Sequence, residues 1–232
     1  MTFEERKRRA LKRLAERGAD ADIIEILERI NSLENFFTTS SCSGRIVLLK
    51  VPHAGSKRDA EFVAKWHRSV SVSEVLDALS KACSHAVSSA TAKAEEEEAG
   101  EEKTGKTGKT ERKAGWKTEE EEKAEVRTER ACEEIWLIEQ PPIIHVACKD
   151  MHSAEKLLQI AYNSGFKYSS LKSMRRFVVE ILSTERMDVP LCACGRILIT
   201  TEYIKFLVSR ANFLLNRGKN KLKRLLENLE RY

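Results

Sequence analysis

Apolar residues recur at helical spacing near both ends of the chain. Between the basic segment 7–17 and residue 30, isoleucine and leucine return every three or four positions, which is typical of an amphipathic helix. We therefore expect two helices within residues 1–30, separated near residues 18–22, and a long C-terminal helix broken at Gly218, because glycine lowers helix propensity. The inward-facing residues expected in the C-terminal helix are Ile204, Phe206, Leu207, Leu214, Leu215, Leu222, Leu225 and Leu229.

Shorter apolar runs bounded by glycine, proline or serine predict about seven strands. Helices that begin at Ser71 and Ser153 are expected between them, and Gly165 should end the second. This order indicates a mixed α/β (α+β) protein. No G-x-G-x-x-G turn occurs in the sequence, so we expect a non-Rossmann sheet. The expected strands are 45–51, 61–66, 135–138, 143–148, 166–171, 176–182 and 197–199.

The segment 93–134 differs in composition from the rest of the chain. It holds 15 acidic and 10 basic side chains and almost no large apolar residue, so burial cannot offset the entropy of ordering it. We interpret it as a charged insertion, either disordered or an exposed extension of a helix. It separates a first α/β repeat over 1–92, with a basic N-terminal helix, from a second over 135–232, with a basic C-terminal helix. Both repeats are expected to form one domain.

The net charge of the chain, +5, conceals a more basic folded part. Outside the insertion there are 31 basic and 21 acidic side chains, which gives this part of the chain a net charge of +10. Such a surface favours polyanions through counterion release, and nucleic acid is the commonest polyanion in a cell. A lysine-rich solvated surface, as in thermophilic proteins, is the alternative.

Cysteine usage and hydropathy suggest a cytoplasmic protein without a membrane segment. The cysteines lack the density of a secreted disulfide framework, so we expect reduced thiols. Apolar runs are too short to span a bilayer, and the first residues lack the apolar core of a secretion signal. Cys192-x-Cys194 is the one close pair; with no second pair to complete a zinc site, we expect no metal.

The segment from Ser41 to Arg45, which follows the turn-like residues 38–40, carries the most chemistry in the shortest space. Hydroxyls, a thiol, a glycine and a fixed cation precede a predicted strand, which is the material of an anion or cofactor cradle. A second Gly-Arg pair, Gly195-Arg196, also precedes an apolar run. The pair indicates an internal duplication, although an ordinary tight turn with a solvated arginine explains each copy equally well.

Several motifs taken in order resemble archaeal members of the family of tRNA wybutosine-synthesizing protein three. The resemblance covers nearly the whole chain except the insertion, and its most specific part is the block 36–46. The other matching segments are Lys65-Trp66-His67, 142–146, 153–158, 165–167, Val179-Glu180 and Thr184-Glu185-Arg186-Met187.

This resemblance implies a methyltransferase that uses S-adenosyl-L-methionine. Its substrate would be phenylalanine tRNA, in which it methylates N4 of the 7-aminocarboxypropyl-demethylwyosine base at position 37, beside the anticodon. The family's fold would be a compact barrel-like sheet built from two related β/α repeats.

The resemblance also suggests roles for particular residues. Methyl transfer from a sulfonium depends mainly on positioning, so the hydroxyls and backbone N–H groups before Arg45 would seat a carboxylate of cofactor or substrate, and Arg45 would bind it bidentately. His67 is the expected catalytic proton acceptor, ahead of His145. The expected cofactor- or substrate-binding residues are Ser40, Ser41, Cys42, Ser43, Gly44, Arg45, Lys65, Trp66, His145 and Glu180.

Some of these residues have structural explanations as well. Trp66 could stack on a base or anchor the core, His145 lies within an apolar strand, and Cys42 could simply pack. Two other classes of function remain open: a non-catalytic RNA-binding or scaffold protein that grips phosphate with this loop, and a small-molecule anion-binding module. The expected contacts to the tRNA backbone are Arg8, Arg9, Lys12, Arg13, Arg217 and Lys221.

Overall fold

The computed structural model describes residues 1–52, 59–83 and 133–232. Most of the predicted insertion lies outside these ranges; its last two residues, Glu133 and Glu134, open a strand. The described helices are α1 (Phe3–Arg17), α2 (Ile24–Ser32, after a 3₁₀ turn Ala21–Ile23), α3 (72–83), α4 (Met151–Asn163) and α5 (Thr201–Glu230). The described strands are β1 (Phe36–Cys42), β2 (Arg45–Pro52), β3 (Glu61–Trp66), β4 (Glu133–Gln140), β5 (Ile143–Cys148), β6 (Ser170–Ser173), β7 (Val178–Leu182), β8 (Met187–Ala193) and β9 (Arg196–Ile197).

These strands form two sheets, in the orders β1-β5-β7-β6 and β3-β2-β4-β8-β9. Neighbouring strands within each sheet run antiparallel. The chain changes sheet three times, through residues 43–44, 141–142 and 183–186. Because these connections lead into a different sheet, the described strands do not close into a barrel. The mixed α/β composition is confirmed and the predicted barrel-like sheet is wrong.

Helix α5 packs across both sheets. Its C-terminal half joins α2 and α4 in a core against the four-stranded sheet, while its N-terminal half joins α3 in a second core against the five-stranded sheet. The predicted break at Gly218 is wrong, since the helix runs through it. A Cβ atom at Gly218 would lie 2.7 Å from Cδ of Pro142. This glycine therefore allows close approach of the helix to the crossover at 141–142.

Replacement of Gly218 by alanine is expected to destabilise the protein. Alanine normally favours a helix interior by about 1 kcal/mol over glycine, but here its methyl group would overlap the ring of Pro142. We expect the free energy of unfolding to fall by about 1–3 kcal/mol, measured by urea denaturation. Asn220→Ala, at an exposed position of the same helix, is the control and should be neutral or slightly stabilising. A gain in stability for Gly218→Ala would contradict the packing argument.

Some element boundaries differ from the sequence-based expectations, because contacts with distant residues determine them. Residues 38–40, predicted as a turn, belong to β1 because it pairs with β5. The N-cap of α4 is Asp150, whose carboxylate accepts a hydrogen bond from Ser153 N at 2.8 Å. Gly165 ends that helix in the left-handed region, as predicted.

The two Gly-Arg pairs lie in different connections. Gly44 belongs to a crossover between sheets, whereas Gly195 belongs to the tight turn between β8 and β9. Cys194, in the same turn, is disulfide-bonded, contrary to the expectation of reduced thiols. None of the described helices is long and apolar enough to cross a membrane.

Candidate active site

The segment Ser40–Arg45 contains the end of β1, the crossover at residues 43–44 and the first residue of β2. Ser43 and Gly44 are buried there, and Gly44 has φ +96°, a conformation that favours glycine. A Cβ atom at Gly44 would lie 3.2 Å from Pro142 Cδ and 3.3 Å from the Gln140 carbonyl oxygen. The predicted cradle is therefore a tightly packed junction between two strands, with its polar groups directed to separate partners.

Asp20 is the centre of the first polar cluster at this junction. Its Oδ2 accepts hydrogen bonds from Ser43 N at 2.9 Å and Ser43 Oγ at 3.0 Å, and it lies 3.0 Å from His67 Nδ1. Burial alone would raise the pKa of Asp20, but the hydrogen bonds from Ser43 and the proximity of His67 lower it below its usual value. The carboxylate therefore stays ionised, and its charge lies beside the imidazole of His67.

Cys42 completes this cluster without being a nucleophile. Burial raises the pKa of its thiol, so the thiolate that attack requires is disfavoured. The ligand atoms of Asp20, Cys42 and His67 lie within 4.8 Å of one another. A structural zinc site takes four such ligands, so this group is incomplete by itself. Cys192 lies buried with its Sγ 2.7 Å from that of Cys83, and Cys194, the other member of the Cys192-x-Cys194 pair, is disulfide-bonded.

A second histidine–carboxylate pair lies across the four-stranded sheet. His145 and Glu180 are register partners on β5 and β7, with Nε2 of the imidazole 3.0 Å from Oε2 of the carboxylate. Nδ1 of His145 lies 2.9 Å from Ser40 Oγ, and Lys172 Nζ lies 2.7 Å from the other oxygen of Glu180. Both imidazole nitrogens of His145 therefore have partners, and the ring fixes the position of the Ser40 hydroxyl.

Arg45 points to a third set of partners. Its Nε donates to Gln140 Oε1 at 2.6 Å, and its guanidinium carbon lies 5.1 Å from the centre of the Phe62 ring. Lys65 Nζ lies 5.9 Å from the same ring, which is 49% exposed. Phe62 is thus an accessible aromatic surface with two cations beside it. The sequence analysis singled out Trp66 instead.

Trp66 lies in different surroundings from its neighbour His67. It packs against the core of the five-stranded sheet and lines a surface groove of about 400 Å³ between β3 and α3, with Val63, Glu74, Asp77, Ala78 and Lys81. The core-anchor interpretation therefore describes Trp66 better than the stacking one. Ser41, on the same strand as Ser40 but one residue on, is half-buried and pairs with Ile144.

The predicted tRNA contacts divide into exposed and buried residues. Arg8, Arg9, Lys12 and Arg13 are exposed on α1, and Arg217 is exposed on α5. Lys221 is 6% exposed, and its ammonium lies 2.6 Å from Glu185 and donates to Thr184 at 3.0 Å. The structure thus does not support Lys221 as a phosphate contact, because the third sheet crossover encloses it.

Glu139 is a buried carboxyl group beside this cluster that the sequence analysis missed. It is 0% exposed, and neither oxygen has a hydrogen-bond partner among the described residues. Burial, followed by repulsion from Glu185, raises the pKa of Glu139 to about 8. Because side chains alternate between the two faces of β4, Glu139 faces the core on the same side as Leu137. The alternating apolar residues of that strand were the sequence signal that Glu139 is buried.

Asp20 and Lys219 are the other missed residues. Asp20 belongs to the segment expected to separate the first two helices, and Lys219 was not among the predicted site residues. Lys219 Nζ donates to the His67 carbonyl oxygen at 3.2 Å and lies 2.7 Å from Asp22. Helix α5 therefore helps to fix the loop that carries the candidate proton acceptor.

These features define a two-sheet α+β protein with carboxylate-oriented histidines at the junction of its sheets. The chain belongs to the TYW3 methyltransferase family, whose model, described as Methyltransferase TYW3, matches residues 5–231.

Curated relatives match almost end to end. A protein of Thermococcus kodakarensis is 37% identical over 235 residues, covering 99% of this chain and 94% of the relative. One of Pyrococcus furiosus is 38% identical over 213 residues, covering 91% and 84% respectively. Both are named tRNA(Phe) 7-((3-amino-3-carboxypropyl)-4-demethylwyosine(37)-N(4))-methyltransferase 1.

Solved structures agree with this family. The PH1069 protein of Pyrococcus horikoshii superposes with a TM-score of 0.72 at 36% identity, covering 98% of this chain and 96% of that one. A hypothetical protein from Aeropyrum pernix shares the fold at 23% identity, with a TM-score of 0.61, covering 91% of this chain and 98% of that one.

Proposed function

We propose that this chain methylates N4 of 7-(3-amino-3-carboxypropyl)-4-demethylwyosine at position 37 of phenylalanine tRNA, with S-adenosylmethionine as the methyl donor. The observation that carries the proposal is the nearly full-length match to relatives named for this reaction. The sheet junction is compatible with it, since it carries ionic, aromatic and imidazole groups from distant parts of the chain.

The junction offers suitable partners for the donor and for the side arm of the base. Both molecules carry a carboxylate. Among the described residues Arg45 uses only Nε, on Gln140, which leaves its terminal N–H groups for a bidentate contact. The exposed Phe62 ring suits an adenine or a purine-like base by stacking. S-adenosylmethionine supplies an electrophilic methyl group, so the protein has to align it with the acceptor nitrogen.

His67 is the group that takes up the proton released from the acceptor base. Asp20 lies against Nδ1, which favours the tautomer with its proton on Nδ1 and leaves the Nε2 lone pair available. The ionised carboxylate also stabilises the imidazolium that forms when Nε2 becomes protonated. Asp20, held by two hydrogen bonds from Ser43, therefore positions the base of the reaction.

The charge distribution suits an RNA substrate. Arg8, Arg9, Lys12 and Arg13 are exposed on α1, and each phosphate contact of this kind adds a salt-dependent increment to binding. These side chains bind the tRNA backbone while the junction receives the modified base.

Mass spectrometry of tRNA nucleosides tests the proposal directly. Phenylalanine tRNA that lacks the N4 methyl group is incubated with the protein and S-adenosylmethionine. We expect its hypermodified base to gain one methyl group, and to gain none when the donor is omitted. If the folded protein binds this tRNA and transfers no methyl group, it is an RNA-binding protein and the proposal is wrong.

A further inference from the structure

The long helix α5 exposes aromatic side chains where the sequence predicts a buried one. Phe206 is 62% exposed, Phe213 48% and Tyr203 46%. The expectation that Phe206 faces inward is wrong, because Leu207 and Val208 occupy the core contact at that turn of the helix. Three exposed aromatic rings on one helix need an explanation other than core packing.

Two arginines lie on the same line as these rings. We call the set Tyr203, Phe206, Arg210, Phe213 and Arg217 the outer stripe; its members are spaced alternately by three and four residues and so share one face of the helix. The guanidinium carbons of Arg210 and Arg217 lie 5.0 Å and 5.7 Å from the centre of the Phe213 ring. The Tyr203 and Phe206 rings lie 6.1 Å apart and nearly parallel, at 13°. No acidic residue interrupts the stripe.

The outer stripe is separate from the candidate active site. Lys219 reaches the His67 carbonyl oxygen, whereas Arg217 lies 3.4 Å from Glu185. Two residues on an α-helix are separated by about 200°, so these side chains leave α5 on opposite sides. The stripe follows the Arg217 side, and no step of the methyl transfer proposed above uses its aromatic rings.

We propose that the outer stripe binds unstacked nucleotides of the tRNA substrate, with bases on the aromatic rings and phosphates on the arginines. The inference rests on the proposed function, because it takes the bound RNA to be the tRNA that is methylated. Exposed aromatic rings with adjacent guanidinium groups match the two surfaces of a single-stranded nucleic acid, its base faces and its backbone. The stripe spans about 21 Å, which is long enough to contact several nucleotides of a single strand.

A second copy of the chain fits this surface less well. The heptad-like spacing resembles the seam of a coiled coil, but Arg210 and Arg217 of both copies would then enter one desolvated seam without an acidic partner on the stripe. Nucleic acid supplies both the opposite charge and the flat apolar faces.

Fluorescence anisotropy with labelled phenylalanine tRNA lacking the N4 methyl group tests the proposal. The double variant Phe206→Ala/Phe213→Ala should weaken binding by roughly 30-fold or more, since each stacked base contributes about fivefold or more. Arg210→Gln/Arg217→Gln should reduce the salt dependence of binding. The control is Tyr168→Ala, which removes an equally exposed ring, 65% exposed and outside α5, and should change binding less than twofold. Circular dichroism checks that each variant is folded.

Each outcome of this experiment decides the question. Unchanged tRNA affinity in the Phe206→Ala/Phe213→Ala variant overturns the proposal. It is also overturned if the molecular mass of this variant in light scattering differs from that of the native protein while tRNA binding is kept, because the stripe would then be an interface between copies. Equal affinity of the native protein for a polyglutamate peptide would mean a site for charge alone and would also overturn it. If the variants bind normally while the native protein methylates the tRNA, only the stripe proposal fails. If the native protein neither binds nor methylates the tRNA, both the stripe proposal and the proposed function fail.

Discussion

Replacement of Asp20 by asparagine should lower the rate of methyl transfer by about a hundredfold or more, because general-base catalysis contributes on that order. Asparagine keeps the size of the side chain but loses the charge that lies 3.0 Å from His67 Nδ1. Its amide can also donate to Nδ1 and so favour the wrong tautomer, with the proton on Nε2. Single-turnover rates at saturating donor and tRNA measure the effect on the chemical step.

The matched control is Asp22→Asn. Asp22 lies two residues away on the same short turn and contacts Lys219 at 2.7 Å, with its side chain 46% exposed. The Asp22→Asn substitution should reduce the rate of methyl transfer less than threefold. His67→Ala should reproduce the loss caused by Asp20→Asn, and the double variant should lose little more, because the two residues act as a unit. Equal rates for Asp20→Asn and Asp22→Asn, with tRNA binding intact, would remove His67 from the proposed chemistry.

The residues of this site differ in how far sequence alone could identify them. Ser40, Arg45 and His67 carry recognisable chemistry and stand next to apolar runs, so the sequence alone makes them candidates. Asp20 was not, because its function depends on a contact with Ser43, 23 positions further on, and a short acidic turn between two helices looks like a linker. His145 and Glu180 were both noted, but only the antiparallel register of β5 and β7 shows that they form a pair.

Helical periodicity predicted the existence of α5 and misplaced three of its residues. Gly218 was expected to break the helix, but the ring of Pro142 packs where its side chain would lie. Lys221 was expected in solvent, but Glu185 lies 2.6 Å from its ammonium. Phe206 was expected in the core and is exposed. Pro142 and Glu185 belong to two different sheet crossovers, and exposed Phe206 has no core partner in the described chain. The pattern of apolar residues along one helix holds no information on such contacts.

Stability should fall as the pH rises from about 4.5 to about 8, and Glu139 should be the main cause. The pKa of its carboxyl group is raised to about 8 from a usual 4.5, so over this window the folded state holds a proton that the unfolded state has released. Stability that depends on the neutral carboxyl is present in full below the unfolded pKa and lost as pH approaches the folded one. We expect a loss of roughly 3–5 kcal/mol across the window, measured by urea denaturation at intervals of pH.

Glu139→Gln should remove this pH dependence, because the amide cannot ionise. The absolute stability of the variant is a weaker guide, since glutamine leaves an amide as poorly partnered as the carboxyl group it replaces, at a cost of about 1–3 kcal/mol at every pH. The slope of stability against pH is therefore the quantity to compare. Glu61→Gln, an exposed position on β3, should keep the native slope. Parallel curves for native protein and Glu139→Gln would show that Glu139 does not hold its proton in the folded protein. They would indicate that a cation neutralises the carboxylate, for which Arg186, whose charge lowers the pKa of Glu139 against the effect of burial, is the candidate.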